Sequence, residues 1–261
     1  MHANSRFWRD PALPFVEVRS VADGRKVCYA AHSHESFSIG AITAGRSTYI
    51  SGDRQQQVAA GTVVLMNPGV VHTCNPIAGE PWSYLMLFID WAWLQGLGFS
   101  PLAAVSSTEA GLFDDLLQLF AVLLDEQQPP VGKEAALRVF CSALSLRLGE
   151  SASALGQGDP RLLAAAEFIR AHCTEPLRLE DISRAAGLSA SYLIRAFKQQ
   201  FGLTPHGYLL DQRVQYARAQ LRRGRLIAEV ALEAGFADQA HLQRAFKRHL
   251  AATPGHYRSA H

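Results

Sequence analysis

Two hydrophobic periods divide this chain. Between residues 13 and 90 the apolar positions come in short runs: Phe37–Ile42, Ser47–Ser51, Thr62–Met66 and Tyr84–Ile89. Turn residues stand between them at Ala44-Gly45, Ser51-Gly52-Asp53, Asn67-Pro68-Gly69 and Ala78-Gly79-Glu80-Pro81. Short runs bounded in this way predict strands, and several in succession predict a sandwich or barrel. After about residue 108 the period lengthens. Leu112, Leu116, Leu119, Phe120 and Leu123 recur at helical spacing, as do Leu137, Phe140, Leu144 and Leu148. Pro129-Pro130 lies between the two sets, which predicts a helical hairpin. Ser151–Gly158 is small and polar and reads as a linker. Asp159-Pro160 then has the form of an N-cap followed by proline at the first helical position, and the remainder reads as helical.

The helical half contains a repeat. Leu193–Tyr208 reads LIRAFKQQFGLTPHGY and Leu242–Tyr257 reads LQRAFKRHLAATPGHY, with 8 of 16 positions identical. Each copy follows a short helical segment and a glycine turn: Leu179–Ala186 before Gly187, and Leu226–Ala234 before Gly235. Ser189 and Asp238 are placed to cap the helices that come next. Helix, glycine turn and capped second helix is the sequence form of a helix-turn-helix, whose second helix enters the DNA major groove. Leu193 with Phe197, and Leu242 with Phe246, sit four apart and face a core. Arg195, Lys198, Arg244 and Lys247 fall on other faces, where they suit phosphate and guanine contacts.

Charge strengthens this reading. The 261 residues carry a formal net charge of only +2. Residues 1–159 hold 10 Lys+Arg against 15 Asp+Glu, while residues 160–261 hold 15 against 8. An acidic half joined to a basic half is expected of a chain that binds nucleic acid through one of them. No apolar stretch is long enough for a membrane span, and Met1 to Asp10 lacks a secretory core, so a cytoplasmic location is expected. Cys28, Cys74, Cys141 and Cys173 form no C-x-x-C pair and read as reduced thiols.

Residues 160–261 resemble the double helix-turn-helix domain of the AraC/XylS family of transcriptional regulators. The signature from Val230 to Arg258, VALEAGFADQAHLQRAFKRHLAATPGHYR, carries the likeness. It places Gly235, Phe236, Phe246, Lys247, Pro254 and Tyr257 at the family's spacing, although Ala251 stands where the first copy has Gly202. The resemblance implies base-facing positions at Ala190, Ser191, Ile194 and Arg195 in the first recognition helix. In the second they are Gln239, Ala240, Gln243 and Arg244. Tyr192, Lys198, His241 and Lys247 are implied as phosphate-contacting or flanking residues. Double-stranded DNA, a small-molecule effector and a second copy of the chain are the implied partners, with RNA polymerase as a further one.

The N-terminal half is similar to the cupins at His32-Ser33-His34-Glu35 and again at Gly61, Pro68-Gly69, His72 and Asn75. This implies a β-barrel whose cavity is lined by His32, His34, Tyr49, His72, Trp82 and Tyr84. Three imidazoles invite a metal. Metal cupins, however, place a glutamate four or five residues after the second histidine, where Ser38 and Ile39 stand, so neither metal nor cofactor is expected.

The expected fold is a two-domain α+β chain. Residues 1–107 form a cupin-like β-barrel, 108–150 a helical hairpin suited to dimerisation, 151–159 a linker, and 160–261 an all-α domain with two helix-turn-helix units. The expected function is sequence-specific transcriptional regulation in response to an effector held in the barrel. The alternatives are a metal-dependent cupin enzyme with a helical appendage, and a non-specific architectural DNA-binding protein. The basic half shows no nucleophile and base pair, so an enzyme is not expected.

Overall fold

Strand β2 (Val16–Val21, VEVRSV) shows how the N-terminal half is layered. Successive side chains of a strand point to opposite faces. Val16 and Val18 enter one core, while Glu17 and Arg19 project to the other side and are buried there. The computed structural model describes residues 5–25, 27–77, 79–149 and 158–259. Of the expected linker at 151–159, residues 151–157 therefore lie outside the described residues.

The other strands are β1 (Ser5–Trp8), β3 (Phe37–Ser51), β4 (Arg54–Ala59), β5 (Val63–Met66), β6 (His72–Pro76), β7 (Trp82–Ile89) and β8 (Ser106–Ser107). The ladder runs β1-β2-β7-β3-β5-β8, and β4 and β6 pair with the far half of β3. All the pairings are antiparallel. The runs expected as two strands, Phe37–Ile42 and Ser47–Ser51, are one 15-residue strand. Ala44-Gly45 makes a bulge rather than a turn, with the β3–β7 register shifting between Ile42 and Ala44. Gly45 has φ +70°, and a Cβ there would lie 1.9 Å from the Pro81 carbonyl oxygen. Only glycine fits.

The expected barrel closure is not made, because the ladder ends at β1 and β8 without joining them. Other parts of the chain cover these edges, which removes the need for closure. The β1 edge meets the C-terminal half: Phe7 packs in that half's core, and His256 Nε2 lies 2.8 Å from the Ser5 carbonyl oxygen. Strand β8 is only two residues long.

The outer face of the sheet carries Val18, Ile39, Ala41, Leu65, Leu87 and Ile89. It shares one core with helices α1 (Trp91–Gly96), α2 (Ala110–Leu124) and α3 (Pro130–Leu148). The helical stripe Leu112, Leu116, Leu119, Phe120 and Leu123 is buried there, as are Leu137, Phe140 and Leu144. The hairpin is thus seated on its own sheet, while Val131, Val139 and Leu146 of α3 face outward, 80%, 70% and 88% exposed.

The C-terminal half is helical: α4 (Pro160–Ala171), α5 (Leu179–Ala186), α6 (Ala190–Phe201), α7 (Pro205–Arg222), α8 (Ile227–Glu233), α9 (Gln239–Leu250) and α10 (Pro254–Arg258). Asp159, Ser189, Thr204, Asp238 and Thr253 each cap the following helix through a side-chain oxygen. The repeat folds twice. Leu193 and Phe197 lie in one core, and Leu242 and Phe246 in the next, with α7 contributing to both. Ala251 ends α9 at φ +49°, where Gly202 ends α6 at +74°. The left-handed position is kept although the glycine is not, at a cost of roughly 1–2 kcal/mol.

Candidate nucleic-acid interface and effector cavity

Helices α6 and α9 occupy the second position of their helix-turn-helix units. Because each buries one stripe, the opposite face is free. On α6, Ser191, Tyr192, Ile194, Arg195 and Lys198 are exposed and Ala190 is half-buried. On α9, Gln239, Ala240, Gln243, Arg244 and Lys247 are exposed. His241 is half-buried: its ring meets Phe236 edge-on at 5.2 Å, and its Nδ1 accepts from the Ala237 backbone at 3.4 Å. It therefore supports the turn. Arg195, Lys198, Arg244 and Lys247 make no ion pair with any described residue. Most other arginines of this half are committed: Arg225 to Glu233, Arg218 to Glu17, and Arg213 to the carbonyls of Cys173, Glu175 and Gly235. Four uncommitted cations on two exposed helix faces fit a polyanion. Helix α7, at 18 residues, spans about 27 Å at 1.5 Å per residue.

The inner face of the sheet points toward the helical half and encloses a cavity of about 50 Å³. The sheet side supplies Arg19, Tyr29, Trp82, Tyr84 and Met86, and the helical side supplies Arg218, His249 and Leu250. His32, His34 and His72 stand together on its wall, ring centroids 4.5–4.9 Å apart. The first two come from an irregular segment that one β-bridge pins, His32 to His72. Five of the six residues expected to line the site do so. Tyr49 does not: it is fully buried and donates its hydroxyl to the Leu65 carbonyl at 2.8 Å, inside the sheet's own core. It packs in the same core as the cavity-lining Tyr29, Trp82, Tyr84 and Met86 without reaching the cavity itself.

Three buried histidines whose ligand atoms lie within 4.8 Å of one another have the composition of a metal centre. Their surroundings do not. A guanidinium only donates, so Arg218 Nη1, at 3.1 Å, occupies the Nδ1 lone pair of His34. Its other nitrogen must then carry the proton. Arg19 and Arg218 add two buried positive charges to the same wall. His32 and His72 each turn Nδ1 to a carbonyl, of Ala30 and Val70, at 2.8 and 2.9 Å, which leaves their Nε2 atoms free among the described residues, so the misfit lies with His34 and the arginines rather than with these two. Burial first, then the neighbouring His72, lowers His32 and His34 well below the usual histidine value. Burial lowers His72 to about 4. The cluster is neutral at neutral pH; what disfavours a cation is the pair of guanidinium charges of Arg19 and Arg218 on the same wall and the occupied Nδ1 of His34.

Polar bonds across the boundary hold the two halves together. Glu17, 1% exposed, accepts from Arg9 Nε (2.7 Å), Tyr257 Oη (2.9 Å) and Arg218 Nη2 (3.2 Å). Burial alone would raise its carboxyl, but Arg218, Arg9 and Arg222 outweigh burial and hold it below the usual range. Asp211 of α7 accepts from the Ser33 hydroxyl at 2.6 Å, and Gln215 donates to the Ser33 carbonyl at 2.7 Å. The Ala30 N–H donates to the Arg248 carbonyl at 2.9 Å, joining the cavity wall to the recognition helix α9. Glu17, Arg19, Arg218 and Asp211 were not singled out from the sequence. For Glu17 and Arg19 the one signal was a pair of charges between valines in the strand VEVRSV.

Comparison with known proteins finds the same two domains. Residues 15–139 match the model of the AraC-like ligand binding domain, and residues 182–260 match that of a helix-turn-helix domain. The HTH-type transcriptional regulator YbfI of Bacillus subtilis is 26% identical over 220 residues, 81% of this chain and 80% of that protein. The HTH-type transcriptional activator RhaR of Klebsiella pneumoniae is 25% identical over 248 residues, 88% of this chain and 87% of its own. ToxT from Vibrio cholerae with an unsaturated fatty acid bound has a TM-score of 0.59 at 15% identity, covering 100% of this chain and 97% of that one. At that identity the likeness is one of fold. With an AraC-like ligand binding domain and a helix-turn-helix domain matched in one chain, and with regulators of that kind similar along most of its length, the chain belongs to the AraC family of helix-turn-helix transcriptional regulators.

Proposed function

We propose that this regulator reads double-stranded DNA through α6 and α9 together and that an effector in the shared cavity controls how it does so. Ala190, Ser191, Ile194 and Arg195 face bases in one major-groove segment, and Gln239, Ala240, Gln243 and Arg244 in the next. Tyr192, Lys198 and Lys247 serve phosphates. The observation that carries the regulatory part is the mixed lining of the cavity. Arg218, His249 and Leu250 belong to the DNA-reading half, and His249 and Leu250 end α9 itself. An effector bound there touches both halves. It therefore has a different affinity for docked and undocked arrangements, which is the energetic requirement for control. ToxT, of similar fold, has an unsaturated fatty acid bound, which supports a small-molecule effector for this chain.

The outward stripe of α3 supports a homodimer, since Val131, Val139 and Leu146 recur at helical spacing with nothing over them. Operation in the cytoplasm, with RNA polymerase as a downstream partner, belongs to the same reading. No helix among the described residues is long and apolar enough to cross a membrane.

The test is fluorescence anisotropy of the full chain on a selected duplex and on a scrambled one, at rising salt. The expected result is a steep salt dependence on both and a preference of at least about 10³-fold for the selected duplex. Equal affinity for the two overturns the reading in favour of architectural binding.

A further inference from the structure

We propose that Arg19 is the anchor for a small monocarboxylate in the cavity between the two halves; this rests on the reading of that cavity as the effector site. The side chain is 4% exposed, and its Nε and Nη2 are buried with no hydrogen-bond partner among the described residues. Its guanidinium carbon lies 5.1 Å from the Phe7 ring centroid and 5.5 Å from that of Tyr29, so aromatic faces hold it but satisfy neither N–H. A buried cation with two orphan donors is costly to keep unless something accepts from them.

The carboxylate on the same strand face, Glu17, does not. Glu17 makes no hydrogen bond to Arg19; its oxygens accept from Arg9, Tyr257 and Arg218 instead. Asp211 is spent on Ser33, and burial raises its carboxyl toward the neutral form. Arg9, Arg19 and Arg218 thus face one Glu17, which leaves a positive excess beside a largely apolar cavity.

The two orphan atoms also say which anion fits. Nε and Nη2 form one edge of the guanidinium, spaced to meet both oxygens of a carboxylate. This chain uses that edge repeatedly. Arg25 holds Asp23 through Nε (3.0 Å) and Nη2 (2.6 Å), Arg46 holds Glu80 (3.1 and 2.7 Å), and Arg161 holds Asp159 (3.1 and 2.8 Å). At Arg19, which lines the cavity, the same edge is buried and meets no carboxylate among the described residues. One orphan edge matches one negative charge. A dianion would need a second uncommitted cation, and Arg218 is already bonded to Glu17 and His34. The cavity's size, about 50 Å³, limits the ligand's body. An apolar cavity of roughly 150 Å³ takes benzene, so the docked arrangement admits a carboxylate with a short hydrocarbon tail. Ile42, Val64, Met66 and Met86 supply the surface for that tail.

Propionate is the probe. Thermal unfolding of the full chain is followed with propionate, propionamide, sodium phosphate and zinc chloride at matched ionic strength. Affinity for a selected duplex is measured on the same samples. Propionate should raise the melting temperature saturably and bind at least about tenfold more tightly than its neutral amide, since the charge-assisted pair is lost in the amide. Arg19→Met should remove that preference. If Arg19→Met does not fold, Arg19→Lys, which keeps the charge but not the planar fork, should weaken propionate by about tenfold. Equal binding of propionate and propionamide overturns the proposal. So does unchanged propionate binding by the variant, stabilisation by phosphate in preference to propionate, or stabilisation by zinc alone. Propionate binding that depends on Arg19 but leaves duplex affinity unchanged supports the anchor and overturns the effector reading. A duplex response to neutral ligands alone does the reverse.

Discussion

Replacing Glu17 by Gln keeps the shape of the side chain and removes the charge at the centre of the boundary between the two halves. Arg9 and Arg218, 12% and 11% exposed at their side chains, then stay buried without their counter-ion. Truncating one member of a buried pair costs about 3–5 kcal/mol, because the partner's desolvation is no longer offset. At 1.36 kcal/mol per decade this is about two to three and a half powers of ten in the equilibrium that holds the clasp together. Arg218→Met alone should also destabilise, since it frees Glu17 Oε1 and His34 Nδ1. The double variant should be less damaged than the sum of the two, by a coupling of about 1–3 kcal/mol, because the mismatch each single change creates is partly relieved. Urea unfolding of the wild type, both singles and the double, followed by tryptophan fluorescence, measures that coupling. Additivity within about 0.3–0.5 kcal/mol would mean that Glu17 and Arg218 act independently and would refute the clasp.

Three other outcomes are expected. Arg244→Ala should cost about 1–3 kcal/mol at one base position and relax specificity there, read by competition among single-base variants of a selected duplex; a uniform loss across sequences would make Arg244 a phosphate contact. Leu146→Asp on the exposed stripe of α3 should shift the chain from dimer to monomer in sedimentation without lowering its melting temperature, whereas an unchanged mass would move the dimer interface elsewhere. Acidification should destabilise the fold between about pH 6.5 and 4: the unfolded chain binds protons at the ordinary histidine value, but folded His72 does so only near 4. That group alone contributes about 3 kcal/mol above this window, lost as pH falls through it. A urea midpoint flat from pH 7 to 5 would count against three buried neutral imidazoles.

Much of the helical half was legible because its signals are local. Caps, glycine turns and the stripes through Leu193 and Leu242 depend on residues within a few positions of one another, and the helices follow them closely. The sheet was legible as strands but not as a sheet. A bulge at Ala44-Gly45 and a turn there share the same residues, and only the close approach of Pro81 decides between them. Closure failed for a similar reason, since what covers the β1 edge comes from residues around His256, some 250 positions later. The histidines of the cavity were found by their motif spacing. Arg19 and Glu17 were missed because their meaning lies in partners from α7 and α10, or in having none. Tyr49 was misplaced because alternation names a face but not which stretch of a long, coiled strand reaches the cavity.

The measurement that bears most directly on the central claim is selection of duplexes from a random library by the full chain. If α6 and α9 of one chain read successive major-groove segments across α7, enriched sequences should contain two short motifs about one helical turn apart, roughly 34 Å. Arg195→Ala should erase information in one motif and Arg244→Ala in the other. Recovery of a single motif untouched by either change, or of no enriched sequence at all, would contradict the account.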